Sequence, residues 1–159
     1  GGSTGGGTPS GNGENCPTAT VIATSTTLSG ETLFGFTDEY QWSGLPNCTP
    51  FGSFGPDRVY VVSIPPGTGL RVSVTPTAGW DPSIQFTEGP CSLGSSGQTC
   101  LAGSNSAGAG QTENLDYGNS TTATQQVFVL VDTASTITAA NLYNISFQFV
   151  SPLPAGDSC

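Results

Sequence analysis

The side chains that could do chemistry in this chain are almost all carboxylates. Eleven Asp and Glu residues face only two basic side chains, Arg58 and Arg71, and the sequence contains no Lys, His or Met. Without His the usual Ser-His and Cys-His nucleophile pairs cannot form, and without Lys there is neither a Schiff base nor a phosphate-binding P-loop. This composition predicts a protein that is not an enzyme.

A glycosidase is the enzyme class that carboxylates alone could serve, because it uses two carboxyl groups set across a cleft. Here most acidic residues lie in turn-like sequence, such as Asp81 in Trp-Asp-Pro and Asp157 near the C-terminus. An Asp in a turn commonly caps its own backbone. An aspartic protease would need a duplicated Asp-Thr-Gly-like pair, whereas Asp132-Thr133-Ala134 occurs once. These patterns favour turn aspartates over catalytic ones.

Calcium binding is the other chemistry open to the carboxylates, since hard cations take several oxygen ligands from Asp side chains and loop carbonyls. The candidates are Asp57, Asp81 and Asp38, the last together with Glu39. No DxDxDG loop is present, so hydrogen-bonded turn aspartates are the favoured interpretation. We expect no cofactor unless calcium binds here. The two arginines are expected to offset neighbouring carboxylates rather than to recognise a ligand.

Three aromatic residues lie in turn-rich sequence rather than in alternating strands: Tyr40, Trp42 and Trp80. Their faces could stack on sugar rings and form a carbohydrate platform. The alternative, which we favour, is that they close the ends of the fold.

The protein is predicted to be exported and to have an acidic exterior. A formal net charge of −9 argues against binding to nucleic acid or an anionic membrane, which depends on Lys and Arg. No apolar run approaches the roughly 18 residues of a spanning helix. Asn-x-Ser/Thr sequons, which suit a glycosylated surface, begin at Asn47, Asn119 and Asn144.

Five cysteines in so polar a chain indicate an oxidising compartment. Cys91 and Cys100 enclose a short Gly- and Ser-rich stretch and are the preferred first pair. Cys16 and Cys48 form the preferred second pair, although other arrangements stay open. The remaining Cys159 ends a GDSC motif that resembles the earlier GENC, so it could open a next repeat or form an intermolecular bond.

Period-two alternation predicts an all-β fold. Apolar and polar residues alternate over residues 70–75, 83–87 and 143–149, while residues 125–132 are apolar on both faces, as in a central strand. No helical period competes with these patterns. About eight or nine short strands separated by Gly, Pro and Asn turns predict an antiparallel β-sandwich of jelly-roll type.

Two further strand pairs are predicted from turn signals. Residues 18–24 and 32–36 are β-branched or aromatic, and Gly30 between them indicates a turn. The Pro- and Gly-rich segment 65–69 separates two β-rich runs, which predicts a hairpin or a close connection between sheets.

Composition divides the chain into three parts. Residues 1–15 are a Gly- and Ser-rich linker or assembly tail, residues 16–150 are the sandwich, and residues 151–159 are a C-terminal linker or the start of another repeat. The chain opens on Gly rather than on a signal sequence, which indicates a mature chain or one cut from something longer.

The order of the strand motifs resembles that of bacterial pre-peptidase C-terminal (PPC) domains. The resemblance rests on Gly-x-Asp-x-x-Tyr in GPDRVYVVSIPPGTGLRVSVTP, followed by WDPSIQF, ENLDY, VFVLVD and YNISF, and it covers about residues 16–150. Asp57 matches the strand-opening Asp of that family. The resemblance implies a noncatalytic jelly-roll sandwich on a secreted protein, in a family with some calcium-binding and some matrix-attaching members.

Two functions follow as expectations. The first is a structural or adhesive module, a repeat unit or subunit of a bacterial cell-surface fibre. Its units would join through the tail, about Gly1 to Asn15, and through Cys159. The second is an accessory domain of a secreted hydrolase that binds polysaccharide or matrix through Trp42 and Trp80.

Overall fold

The computed structural model describes residues 11–41, 48, 54–90 and 98–151. Within them the chain forms one 3₁₀ turn, Cys16–Thr18, and nine β-strands. The strands are β1 Thr20–Ile22, β2 Thr26–Thr32, β3 Arg58–Ile64, β4 Gly69–Pro76, β5 Pro82–Glu88, β6 Thr99–Ser104, β7 Glu113–Gly118, β8 Gln125–Thr133 and β9 Leu142–Val150. None of the described segments is a helix with the length and apolar character that crossing a membrane requires.

The strands form two sheets that confirm the predicted sandwich. One sheet has the order β1-β3-β8-β5-β6 and the other β2-β9-β4-β7. From β2 onward the two sheets hold the strands of a jelly roll, four in each. β1 is the exception to the antiparallel prediction, because it pairs parallel with β3 at the edge of its sheet.

The main core lies between the sheets. In β4 the residues Leu70, Val72 and Val74 are buried, and in β9 so are Tyr143 and Ile145, while their polar neighbours are more exposed. This arrangement confirms the period-two alternation of both strands. β8 is the third strand of the five and is buried along both faces, as its apolar run predicts.

A second hydrophobic cluster lies on the outer face of the five-stranded sheet. Val59, Phe128 and Leu130 belong to it, together with Cys16 and Tyr40 from the segments that cover this face. Because the outer face is covered, the polar residues of β5 are buried as well. Period two therefore gave the wrong exposure for the polar residues of β5, which are Ser83, Gln85 and Thr87.

The structure has one of the two predicted forms of the Pro-rich link and differs from the prediction at Gly30. β3 pairs with β1 and β8, whereas β4 pairs with β7 and β9, so the Pro-rich link between them is a connection between sheets and not a hairpin. Gly30 lies within β2 at a register shift against β9, and so it is a bulge rather than a turn. Residues 33–36, predicted as strand, form a turn instead.

The preferred cysteine pairs are wrong. Cys48 is bonded to Cys100, with their Cα atoms 5.7 Å apart, so neither Cys16–Cys48 nor Cys91–Cys100 forms. Cys16 is also disulfide-bonded. Spacing suggested a short local loop, but the fold places Cys100 on β6 beside the segment that contains Cys48. Cys91 and Cys159 lie outside the described residues.

The fold begins earlier than the predicted boundary at residue 16. The Gly13 N–H donates to Thr18 O at 2.8 Å, and the Val59 N–H donates to Gly13 O at 2.7 Å. Asn15 caps the 3₁₀ turn by accepting from the Thr18 N–H. Residues 11–15 are therefore part of the domain and not linker, while residues 1–10 of the proposed assembly tail lie outside the described part.

Candidate functional site

A groove of about 440 Å³ opens at one end of the sandwich. Three turns line it: residues 33–36 after β2, residues 54–56 before β3, and residues 134–137 after β8. The second and third turns meet because β3 and β8 are antiparallel neighbours, so that the start of one strand lies beside the end of the other. The first turn comes from β2 of the other sheet.

Phe34 is the exposed aromatic on one side of the groove, with 53% of its surface accessible. The Phe36 N–H donates to Leu33 O at 3.1 Å, which closes a turn, and Gly35 has φ +90°. A positive φ at that position suits glycine and is strained for other residues. Leu33 is fully buried, so the turn is fixed to the core while Phe34 faces solvent.

Phe54 is the exposed aromatic on the second turn, with 62% of its surface accessible. The next residue, Gly55, packs so closely that a Cβ atom there would lie 2.5 Å from the Thr133 carbonyl oxygen. Phe34 and Phe54 are the most exposed large hydrophobic side chains among the described residues, and both line this groove. Fixed, exposed rings beside a groove are suited to contact with sugar rings or apolar side chains.

Two carboxylates are fully buried behind the groove. Asp57 Oδ2 accepts from the main-chain N–H groups of Glu39 and Tyr40, both at 2.9 Å. Asp132 accepts from the Thr133 N–H at 2.6 Å and from the Gly55 N–H. These bonds hold the segment around residue 40 and the turn at Gly55 against the end of the five-stranded sheet.

Both buried carboxylates hold their protons unusually well. Burial raises the pKa of Asp57 to about 7, even though its two main-chain hydrogen bonds oppose the shift. Burial, reinforced by the charge of Asp57, raises the pKa of Asp132 to about 9. When two neighbouring carboxyl groups are buried, the free-energy cost of ionising both is high, because each charge is poorly solvated and repels the other.

The predicted calcium residues are only partly brought together. The charges of Asp38 and Glu39 act on Asp57, whereas the charge that acts on Asp81 is that of Glu113. Asp57 Oδ1 and Asp132 Oδ2 are buried without a hydrogen-bond partner. Two such oxygens are fewer than calcium requires. The described residues hold no cluster of three or more acidic, Cys or His side chains arranged to bind a metal ion, so they do not fit calcium.

The predicted carbohydrate contacts are core residues where the structure describes them. Trp80 is 3% exposed, and its Nε1–H donates to Leu142 O at 3.1 Å. Tyr40 is 1% exposed, and its hydroxyl accepts from the Cys16 N–H at 2.8 Å. Each ring therefore packs inside the fold, which agrees with the alternative that we favoured. Trp42 lies outside the described residues.

The sequons behave differently from one another. Asn119 is fully buried, and its Nδ2 donates to Ile64 O at 2.7 Å and to Ala123 O at 2.8 Å. A glycan on that nitrogen is incompatible with these bonds, so the prediction for Asn119 is wrong in the folded protein. Asn144 is half-buried on β9 and accepts from the Gly30 N–H. Asn47 lies outside the described residues.

The two arginines are paired with carboxylates, as predicted. Arg58 forms an ion pair with Glu31 and lies over the rings of Phe36 and Tyr60. Arg71 makes a two-pronged pair with Asp116, with both nitrogen-oxygen distances 2.7 Å, on the exposed face of β4. Their place in these pairs confirms that they offset charge.

Sequence reasoning missed three residues of this site: Phe34, Phe54 and Asp132. A signal for the two rings was present, because each Phe is followed directly by Gly, although residues 32–36 were predicted as a strand. Asp132 stands at the end of an apolar run, where a carboxylate on an otherwise buried strand is the unusual feature.

No family model matches the chain, and no curated protein matches it. Among solved structures, the chain is similar to the pre-peptidase C-terminal domain of a collagenase from Bacillus anthracis. The two chains are 12% identical in sequence, and their superposition has a TM-score of 0.45. The match covers 82% of this chain and 92% of that chain. The sandwich assignment rests on the strand order of this chain itself.

Proposed function

We propose that this chain is a noncatalytic, exported accessory domain that binds polysaccharide or protein matrix through the groove between Phe34 and Phe54. The observation that carries the proposal is the pair of exposed rings on turns that are fixed to the core. Rigid aromatic side chains contribute contact area at low entropic cost, and such residues dominate many binding surfaces.

Export is supported by the cysteines. The Cys48–Cys100 bond joins residues 52 apart in sequence, and bonds of this kind persist in oxidising compartments. An accessory domain is also preferred over a fibre subunit, because residues 11–15 hydrogen-bond their own sheet. The self-association expected through the tail, about Gly1 to Asn15, and through Cys159 stays a prediction.

Arrays of immobilised polysaccharides and matrix proteins test the proposal. The wild-type chain is expected to bind one class, and the double variant Phe34→Ser, Phe54→Ser to bind it at least about tenfold more weakly. The matched control is Val21→Ser, which removes an exposed apolar side chain on the edge strand β1. That variant should bind like wild type.

The proposal fails if the wild-type chain binds neither class, or if the double variant binds as well as wild type while retaining its circular dichroism spectrum. Weakening by Val21→Ser to the same degree would show a nonspecific apolar contact.

A further inference from the structure

The Asp81–Pro82 peptide bond lies where the chain crosses between the sheets. It joins β4 of one sheet to β5 of the other, and it is the single Asp-Pro pair in the sequence. Pro82 is buried as the first residue of β5, whereas Asp81 is half-buried at the surface. Asp81 is therefore in partial contact with solvent, although its Oδ1 atom is buried.

We propose that the Asp81–Pro82 bond is a self-cleavage site, at which the Asp81 carboxyl group attacks its own main-chain carbonyl carbon. One contact and one unpartnered atom distinguish this bond. The Thr133 hydroxyl donates to the Asp81 carbonyl oxygen at 2.7 Å. The Asp81 Oδ1 atom has no hydrogen-bond partner, which leaves it available as the nucleophile.

The reaction balances without any external reagent except water. Attack by the carboxyl oxygen forms a five-membered cyclic anhydride as the bond from the Asp81 carbonyl carbon to the Pro82 nitrogen breaks. The proton of the Asp81 carboxyl group goes to the Pro82 nitrogen, which leaves as a secondary amine. One water molecule then opens the anhydride, leaving Asp81 with a free α-carboxyl group beside its side-chain carboxyl.

Thr133 is the group that would stabilise the transition state. Negative charge develops on the Asp81 carbonyl oxygen during attack, and a donor already aimed at that oxygen is worth more there than in the ground state. Thr133 is fully buried, and its hydroxyl oxygen accepts from the Ser135 N–H at 2.9 Å. The donor therefore needs no reorganisation during the reaction.

The carboxyl group is also suited to keep the proton that the leaving nitrogen needs. Burial, and secondly the charge of Glu113, raises the pKa of Asp81. Glu113 is itself held in place on β7 by the Ser106 and Ala107 N–H groups.

Cleavage would leave a nicked but intact domain. The Cys48–Cys100 bond spans the cut, and strand pairing does the same, since β3 pairs with β8 and β4 pairs with β9. The products would separate only after both reduction and unfolding. The nick would create a new N-terminus at Pro82 without releasing either half.

Intact mass before and after reduction tests the inference on the full chain incubated at about pH 4, near the ordinary pKa of Asp. We expect a gain of one water molecule without reduction, and two fragments, ending at Asp81 and beginning at Pro82, after reduction and unfolding. The same chain in guanidinium chloride at the same pH is the control. The folded chain should be cleaved at least about tenfold faster, because only folding positions Thr133.

Thr133→Val should slow cleavage by about a hundredfold, and Thr133→Ser should restore most of it. Equal rates in folded and unfolded wild-type chain would overturn the proposal by showing only the ordinary lability of an Asp-Pro bond. Wild-type rates in a folded Thr133→Val variant would overturn it as well. The comparison of folded with unfolded wild type remains decisive if that variant does not fold.

Discussion

The side chains of Asp57 and Asp132 lie behind the groove with no accessible surface. Each gives one oxygen to main-chain N–H groups and leaves the other without a partner. Their raised pKa values mean that the folded chain keeps protons that the unfolded chain has released. Since the folded state then binds more protons, these two groups make the free energy of unfolding fall as pH rises.

This stability is fully present below about pH 4, the ordinary pKa of Asp, and is lost as pH rises through about 7 and about 9. Asp132→Asn removes one of the two charges and keeps the Oδ1 acceptor. We expect the variant to be more stable than wild type by about 2 kcal/mol at the alkaline end and to show a flatter pH profile. Urea unfolding across this pH range measures both effects.

Asp116→Asn is the matched control, because Asp116 is exposed and its pKa is lowered by hydrogen bonding to Arg71. It should change stability by no more than about 0.5 kcal/mol and leave the alkaline fall in place. An equally steep fall in Asp132→Asn would show that the buried pair does not set the alkaline limit.

The sequence indicated one member of this buried pair and not the other. Asp57 stands out at the opening of β3, in a turn context that draws attention to its side chain. Asp132 of β8 lies opposite Ser83 of β5 in the sheet. Both residues are buried because other segments of the chain cover the outer face of the five-stranded sheet. That covering is a tertiary feature that alternation along one strand cannot reveal.

At the scale of elements, the alternation in β4 and β9 could be read from the sequence because each has one face on the core. The partners of β3 and of β4 in their separate sheets could not be read from the sequence. Tyr60 and Val62 on β3 and Val72 on β4 belong to one core, and a hairpin or a crossing between sheets gives the same alternation. The link is instead fixed by Asn119, which exchanges main-chain hydrogen bonds with Gly67 and Thr68.

The turn at Gly55 gives the sharpest test at this scale. Gly55→Ala would bring a Cβ atom to 2.5 Å from a main-chain oxygen, so the turn or the end of β8 must move. We expect the free energy of unfolding to fall by about 2 kcal/mol in urea. Gly108→Ala, where a Cβ atom meets nothing within 4 Å, should stay within about 0.5 kcal/mol of wild type. Equal effects would contradict the close packing of this turn.

For the whole molecule, the described strands form two packed sheets, and the segments around Cys16 and Tyr40 cover the outer face of the five-stranded sheet. Fold class and strand number were readable from turn spacing and alternation, whereas the cysteine pairing was not. Cys48 and Cys100 meet only because β6 lies at the sheet edge beside the covering segments. With a net charge of −9 and both arginines in ion pairs, aromatic surface rather than basic charge is the means of contact that this molecule offers.

The groove between Phe34 and Phe54 is the surface that we propose binds polysaccharide or protein matrix. The most direct measurement is the amide shift map of the labelled chain, titrated with the polysaccharide or matrix fragment that the arrays select. We expect the shifted amides to cluster in residues 33–36, 54–56 and 134–137. Shifts centred instead on β7, the edge strand on the opposite side of its sheet from β2, with these turns unmoved, would contradict it.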